Sequence, residues 1–161
     1  MFSLHANMLL ASLLGCRTAE NQIPLETLTH DGQSRTYNLH VPSSYDGSEP
    51  VPLVVVFHGG CMNASSMRDE MDLRELSDQD NFIVAYPEGT SESGEGSCLI
   101  WNSGPYVDLG DTKASADDLG FVRSLVDELG SQYSIDSDRV YATGFSNGGF
   151  MTYSAACYLG D

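Results

Sequence analysis

A chain of 161 residues with 41% hydrophobic content is long enough for one domain around a single core, and no repeat or long low-complexity tract divides it. Seven basic residues against 23 acidic ones give a formal net charge of -16, which speaks against a nucleic-acid partner, because a phosphate backbone would be repelled. No His and Cys cluster has zinc-like spacing and no Gly-rich phosphate loop ends in Lys, so the sequence points to neither a metal nor a cofactor.

The first element is the apolar run Met8-Leu9-Leu10-Ala11-Ser12-Leu13-Leu14, too short to span a bilayer as a stable helix. Residues 1–15 read as a signal peptide, although the usual positive n-region is missing and only His5 precedes the run. Leu13-Leu14-Gly15-Cys16 resembles a bacterial lipobox, which would make Cys16 a lipidation site and a membrane anchor. Residues 16–35 are taken as a leader, with His30 in a polar turn.

The folded part is expected over residues 36–161. Thr36 to Val41 alternates as a half-buried strand with His40 facing outward, and Pro42 closes it. After a loop, Leu53-Val54-Val55-Val56-Phe57 is continuously apolar, as a buried strand should be. Met67, Met71, Leu73 and Leu76 suggest one helical segment, Phe82 to Tyr86 another buried strand, and Glu88 to Gly110 a long surface loop. The clearest helix follows, with Leu119, Val122, Leu125, Val126, Leu129 and Tyr133 at three- and four-residue spacing and Ser115 with Asp118 as its capping pair. Val140 to Thr143 reads as a short buried strand and Phe150 to Tyr158 as a last helix, in which Cys157 is expected to be a small buried hydrophobe. Strands alternating with helices imply a parallel sheet with active groups at the carboxyl ends of the strands.

Two motifs fall at such ends. Gly144-Phe145-Ser146-Asn147-Gly148 lies between a strand and a helix, the setting of a nucleophile elbow, and marks Ser146 as an attacking hydroxyl. His58-Gly59-Gly60 directly ends the strand through Phe57. Acyl transfer passes through an oxyanion that needs two backbone N–H donors, assigned here to Asn147 and to either Gly60 or Cys61. His58 is read as a hydrogen-bonded structural residue rather than a base. Trp101 and Tyr106, in the long loop, could form an aromatic platform for a sugar or phenolic group. Cys61 and Cys98 lie in loops that could meet near the site, but spacing alone does not pair Cys61, Cys98 and Cys157.

Pro52 to Gly60, Ala85-Tyr86-Pro87-Glu88-Gly89, Trp101-Asn102, Asp117 to Val122 and Asp138 to Gly149 together resemble the polyhydroxybutyrate depolymerase and feruloyl or acetylxylan esterase family of the α/β-hydrolase superfamily. The resemblance implies a three-layer α/β fold with a mostly parallel sheet, truncated after the elbow helix, and a secreted serine esterase with a Ser, Asp, His triad and no cofactor. Its substrates would be polymeric or small esters, of polyhydroxyalkanoate or of feruloylated or acetylated polysaccharide. Only Ser146 and the oxyanion turn carry over. His5, His30, His40 and His58 all precede Ser146, so none fits the order Ser, acid, His, and the chain is expected to be the front part of an esterase, nearly inactive alone. Two other readings remain open. A serine peptidase of the prolyl oligopeptidase type shares Gly-x-Ser-x-Gly-Gly, and a non-catalytic surface lipoprotein or pseudoenzyme fragment would keep the sheet without the triad. The strand before Ser146 would also be an unpaired edge, which predicts poor solubility of the isolated chain.

Overall fold

The computed structural model describes residues 24–91, 98–104 and 116–160. Five strands are named in chain order: β1 (Glu26–His30), β2 (Gln33–His40), β3 (Val51–Phe57), β4 (Ile83–Pro87) and β5 (Ile135–Gly144). The helices are α1 (Ala64–Glu70), α2 (Arg74–Asp80), α3 (Asp118–Gln132) and α4 (Asn147–Tyr158). The strands form one sheet in the order β1-β2-β4-β3-β5. β4, β3 and β5 run parallel, and β2 and β1 extend the sheet antiparallel.

The apolar run of β3 is explained by its place. It pairs on both sides and is covered on both faces, so side chains of either parity must be apolar. Leu53, Val55 and Phe57 point to a core shared with Phe121, Val122, Leu125 and Leu129 of α3 and with Met151 and Ala155 of α4. Val56 points the other way, to a smaller core with Ala64 and Met67 of α1 and with Val84 and Tyr86 of β4. Helices thus cover the sheet from both sides, and the three-layer α/β fold expected from the sequence is present.

Several local expectations need correction. The sheet begins inside the stretch taken as a leader: Glu26 pairs with Tyr37 and His30 with Gln33, across a turn in which Asp31 and Gly32 have φ of 48° and 74°. His30 therefore ends a strand, and its ring meets Ser124 Oγ at 3.1 Å and Asp117 Oδ2 at 3.3 Å. The single helix expected around Met67 to Leu76 is two. The break at Met71 to Leu73 is held by the Tyr86 hydroxyl, which donates to Met71 O at 3.0 Å and accepts from Leu73 N–H at 3.1 Å. Leu76 consequently faces solvent.

The N-cap of α3 is Asp117, whose carboxylate accepts from Gly120 N–H at 2.9 Å, and Ser115 lies outside the described residues. β5 is longer than expected and less buried, because only β3 pairs with it among the described residues, and Tyr141 is 54% exposed. Cys157 is an exposed free cysteine rather than a buried hydrophobe, since it sits on the face of α4 turned away from β3. Among the described residues no helix is long and apolar enough to cross a membrane. Cys16 lies outside the described residues.

Candidate active site

The pairing of β3 with β5 brings the two motifs together, since Phe57 is in register with Gly144, so that the elbow starts at this pair and the His58-Gly59-Gly60 turn one residue beyond it. Phe145 N–H donates to Phe57 O at 3.2 Å, continuing the ladder into the turn. Ser146 stands between β5 and α4 with φ 51° and ψ -115°, a conformation that costs a non-glycine residue about 1–3 kcal/mol. The strain holds because the turn is closed by Gly148 N–H to Phe145 O at 2.8 Å and Gly149 N–H to Ser146 O at 2.9 Å.

The glycines on either side are required by contact. A Cβ at Gly144 would lie 2.4 Å from Gly148 O, and one at Gly148 would lie 2.3 Å from Phe57 O and 2.5 Å from His58 O. Backbone cannot yield to that extent, so the tight approach of α4 to the end of β3 exists only with glycine at both positions. Ser146 is left exposed at the carboxyl end of the sheet, as the sequence reading expected.

Asn147 is the first residue of α4, so its N–H belongs to the open N-terminal turn and carries the positive end of the helix dipole. A Cβ built on Gly60 would lie 3.8 Å from Asn147 Cβ, so the two candidate donors are neighbours. The Cys61 amide is already committed, donating to Leu99 O at 2.8 Å. Of the two alternatives for the second donor, the geometry therefore favours Gly60.

His58 is fully buried. Its Nδ1–H donates to Gly59 O at 2.7 Å and its Nε2 accepts from Gly89 N–H at 2.9 Å, an arrangement that fixes the neutral ring. Burial holds its pKa below the ordinary histidine value, against the opposing pull of the Gly59 carbonyl and the Glu88 charge. A ring so engaged ties the oxyanion turn to the Gly89 backbone and has no free nitrogen to serve as a base.

Trp101 does not offer a platform to a substrate. It is 1% exposed, its ring packs edge-on against Phe57 at 5.2 Å and tilted over His58 at 4.9 Å, and its Nε1–H donates to His58 O at 3.0 Å. The loop read as surface thus has a return arm that buries Trp101 and Ser103 and pairs through Thr90 with Ile100 and Met62 with Leu99. Tyr106 lies outside the described residues. Cys61 and Cys98 form a disulfide beside the oxyanion turn.

Sequence reasoning missed the buried pair beneath the loop. Arg35 Nη2 meets Asp118 Oδ1 at 2.6 Å, with side chains 4% and 0% exposed, and Asp118 Oδ2 accepts from Asn102 N–H at 2.7 Å. Burial lifts the Asp118 carboxyl above its ordinary value, and the Arg35 charge opposes the rise. A single charged residue early in a strand and another at a helix start give no signal of their pairing in one sequence. His30, Asp31 and Asp117 also place three donor atoms within 4.8 Å of one another, the one such group among the described residues. They sit on the β1–β2 turn and the start of α3, apart from the elbow, and both aspartates are exposed.

Known proteins share this architecture. A family model described as Esterase PHB depolymerase matches residues 35–159. Feruloyl esterase B of Piromyces equi is 32% identical over 121 residues, covering 74% of this chain and 21% of that protein. Poly(3-hydroxyalkanoate) depolymerase C of Paucimonas lemoignei is 32% identical over 122 residues, covering 76% of this chain and 28% of that protein. The chain spans less than a third of the length of either relative. Among solved structures, the acetyl xylan esterase from Aspergillus awamori superposes with a TM-score of 0.65 at 22% identity, covering 84% of this chain and 47% of that one. The fold is thus of the α/β-hydrolase type, and the chain belongs to the esterase PHB depolymerase family.

Proposed function

We propose that the protein is a carboxylic ester hydrolase in which Ser146 attacks the ester carbonyl and forms an acyl-enzyme. The observation that carries this reading is the strained, exposed Ser146 held between Gly144 and Gly148 next to the Gly60 and Asn147 backbone. In the attack the Ser146 oxygen bonds to the carbonyl carbon, its proton passes to a histidine base, and the carbonyl oxygen becomes an oxyanion accepted by the Asn147 and Gly60 N–H groups. Collapse expels the alcohol, which takes the proton, and water then releases the acid by the same route. None of the four histidines within residues 1–161 is assigned as the base, because all precede Ser146 and both ring nitrogens of His58 are engaged. The 161-residue chain alone is therefore assigned little activity.

Esters of polymers are the proposed substrates, because the relatives are named for feruloyl, acetylxylan and poly(3-hydroxyalkanoate) substrates. Export is proposed with them. The Cys61–Cys98 disulfide supports it, since such bonds persist in oxidising compartments, and Cys16 is the proposed site of lipid attachment. The test is labelling by a fluorescent fluorophosphonate of the protein expressed from its complete reading frame, beside the Ser146→Ala variant and the 161-residue chain. Labelling of the complete protein that disappears in the variant is expected, with hydrolysis of at least one of the feruloyl, acetylxylan and hydroxybutyrate esters. Labelling that survives the substitution, or no ester turnover, would overturn the reading.

A further inference from the structure

The residue after the nucleophile contributes its backbone N–H whatever its side chain, so the donor role does not account for a buried carboxamide at position 147. Asn147 is 6% exposed, and both ends of its side chain are used on one residue. Its Oδ1 accepts from Trp101 N–H at 2.7 Å and its Nδ2 donates to Trp101 O at 3.2 Å. Trp101 in turn reaches the other donor's turn, its indole N–H donating to His58 O at 3.0 Å. The same short segment is attached there twice more, through Cys61 N–H to Leu99 O at 2.8 Å and through the Cys61–Cys98 disulfide. Its far end is fixed where Asn102 N–H meets the buried Asp118 carboxylate at 2.7 Å.

Residues 98–102 therefore form a strap bonded to both halves of the oxyanion site, beyond the last register pair of the β3–β5 ladder, Phe57 and Gly144. We propose that the Asn147 side chain and Trp101 are positioning residues that set the distance between the Asn147 and Gly60 N–H donors, an inference that rests on Ser146 being the nucleophile. Two donors stabilise an oxyanion only if both lie about 2.7–3.1 Å from the place where its charge develops. A clamp that fixes one donor relative to the other acts on that geometry, while the ground-state ester, bound elsewhere along its length, feels it less.

The experiment uses the protein expressed from its complete reading frame, with Asn147→Ala and Trp101→Phe as variants and Ser146→Ala as control. Phenylalanine keeps most of the buried ring and removes only the bond to His58 O, so this variant tests the clamp if the alanine variant folds poorly. Steady-state hydrolysis of 4-nitrophenyl butyrate, corrected for active sites by fluorophosphonate titration, is compared with inhibition by an alkyl trifluoromethyl ketone, whose adduct carries the oxyanion. Both variants should lose about 10–100-fold in kcat with KM within about 2-fold, and ketone affinity should fall in parallel with kcat/KM. Unchanged kcat per titrated site and unchanged ketone affinity in Trp101→Phe would overturn the inference, as would an equal loss in KM with kcat intact. Failure of the nucleophile reading looks different: turnover would survive Ser146→Ala, or the wild type would show none, and the inference would fall with it.

Discussion

Replacing Arg35 by methionine tests what the buried ion pair contributes, and it also removes the Nη2–H bond to Glu88 O at 3.0 Å, a loss that is the same at every pH. Methionine keeps an apolar stem beside Phe121, over whose ring the guanidinium carbon sits at 4.0 Å, and removes the charge. Asp118 would keep the Asn102 N–H on Oδ2 and lose the 2.6 Å partner on Oδ1, with its side chain 0% exposed. Removing one member of such a pair costs about 3–5 kcal/mol, because the remaining charge is buried without compensation. Burial already raises the Asp118 carboxyl, and Arg35 is the first influence holding it down, so its loss should raise the carboxyl further. A carboxyl with a raised pKa in the folded state favours folding below its unfolded value, ordinarily 3.8, and loses that contribution as pH climbs through the folded value. The penalty of Arg35→Met should therefore be full near about pH 7.5 and shrink toward about pH 4, by about 1.4 kcal/mol per unit of added shift. Urea unfolding of wild type and variant at both pH values measures it, and subtraction of the wild type removes the general effect of the acidic surface. Asp118→Asn introduced with Arg35→Met should recover part of the loss. A penalty under about 1 kcal/mol at neutral pH, or one that does not change with pH, would refute the assignment of this pair as an uncompensated charge once broken.

Gly148→Ala should abolish soluble, labelled protein or lower its stability by more than about 3 kcal/mol, since the new carbon would lie 2.3 Å from Phe57 O; a variant that melts within a few degrees of wild type would contradict the contact. Loss of the Cys61–Cys98 disulfide, by Cys98→Ser or reduction, frees a separation of 37 residues and should cost about 4 kcal/mol on the chain-entropy model, read from urea midpoints with and without reductant. His58, whose folded pKa is depressed by burial, gives stability that is complete above 6.5 and falls as pH drops toward the folded value; His58→Gln should remove that part of the acid slope, and parallel stability-pH curves would exclude it. The 161-residue chain alone should self-associate in size-exclusion chromatography, because the edge strand β5, the elbow turn and α4 leave Tyr141, Phe145 and Tyr153 54%, 61% and 77% exposed; a monodisperse monomer would count against this.

What the sequence made legible follows from where hydrophobic burial dominates. β3, β4 and α3 carry long apolar patterns, because each is buried against neighbours on defined faces, and their positions and faces could be read directly. The elbow was legible because its glycines answer a steric demand that no other residue meets. β1 was not, since Glu-Thr-Leu-Thr-His holds one apolar residue and its place depends on pairing with β2, although Asp31-Gly32 is a hairpin signal that could have found it. The break between α1 and α2 and the buried state of Trp101 were hidden for a different reason. Both are fixed by hydrogen bonds between distant residues, Tyr86 with Met71 and Leu73, and Trp101 with His58 and Asn147, and such bonds leave no periodicity in the chain.

The division of labour within the site follows from the same geometry. An attacking serine needs strain at its own backbone, two donors at a set distance, and a base, and the first two depend on one strand pair. Register between β3 and β5 places Phe57 opposite Gly144, and a slip of one residue would move His58-Gly59-Gly60 away from Asn147 and turn each β3 side chain to the other face. That slip is opposed on both faces, by the core under α3 and α4 and by the core under α1, so the register is held by burial far larger than the roughly 1–3 kcal/mol stored at Ser146. Gly148 pressed under the Phe57 and His58 carbonyls, with Thr152 Oγ donating to Gly148 O at 2.9 Å, then passes that rigidity to the first turn of α4. On the proposed assignment, the electrostatic half of the site is thereby built from contacts between residues 57 and 152, so that the donors are in place before any proton transfer.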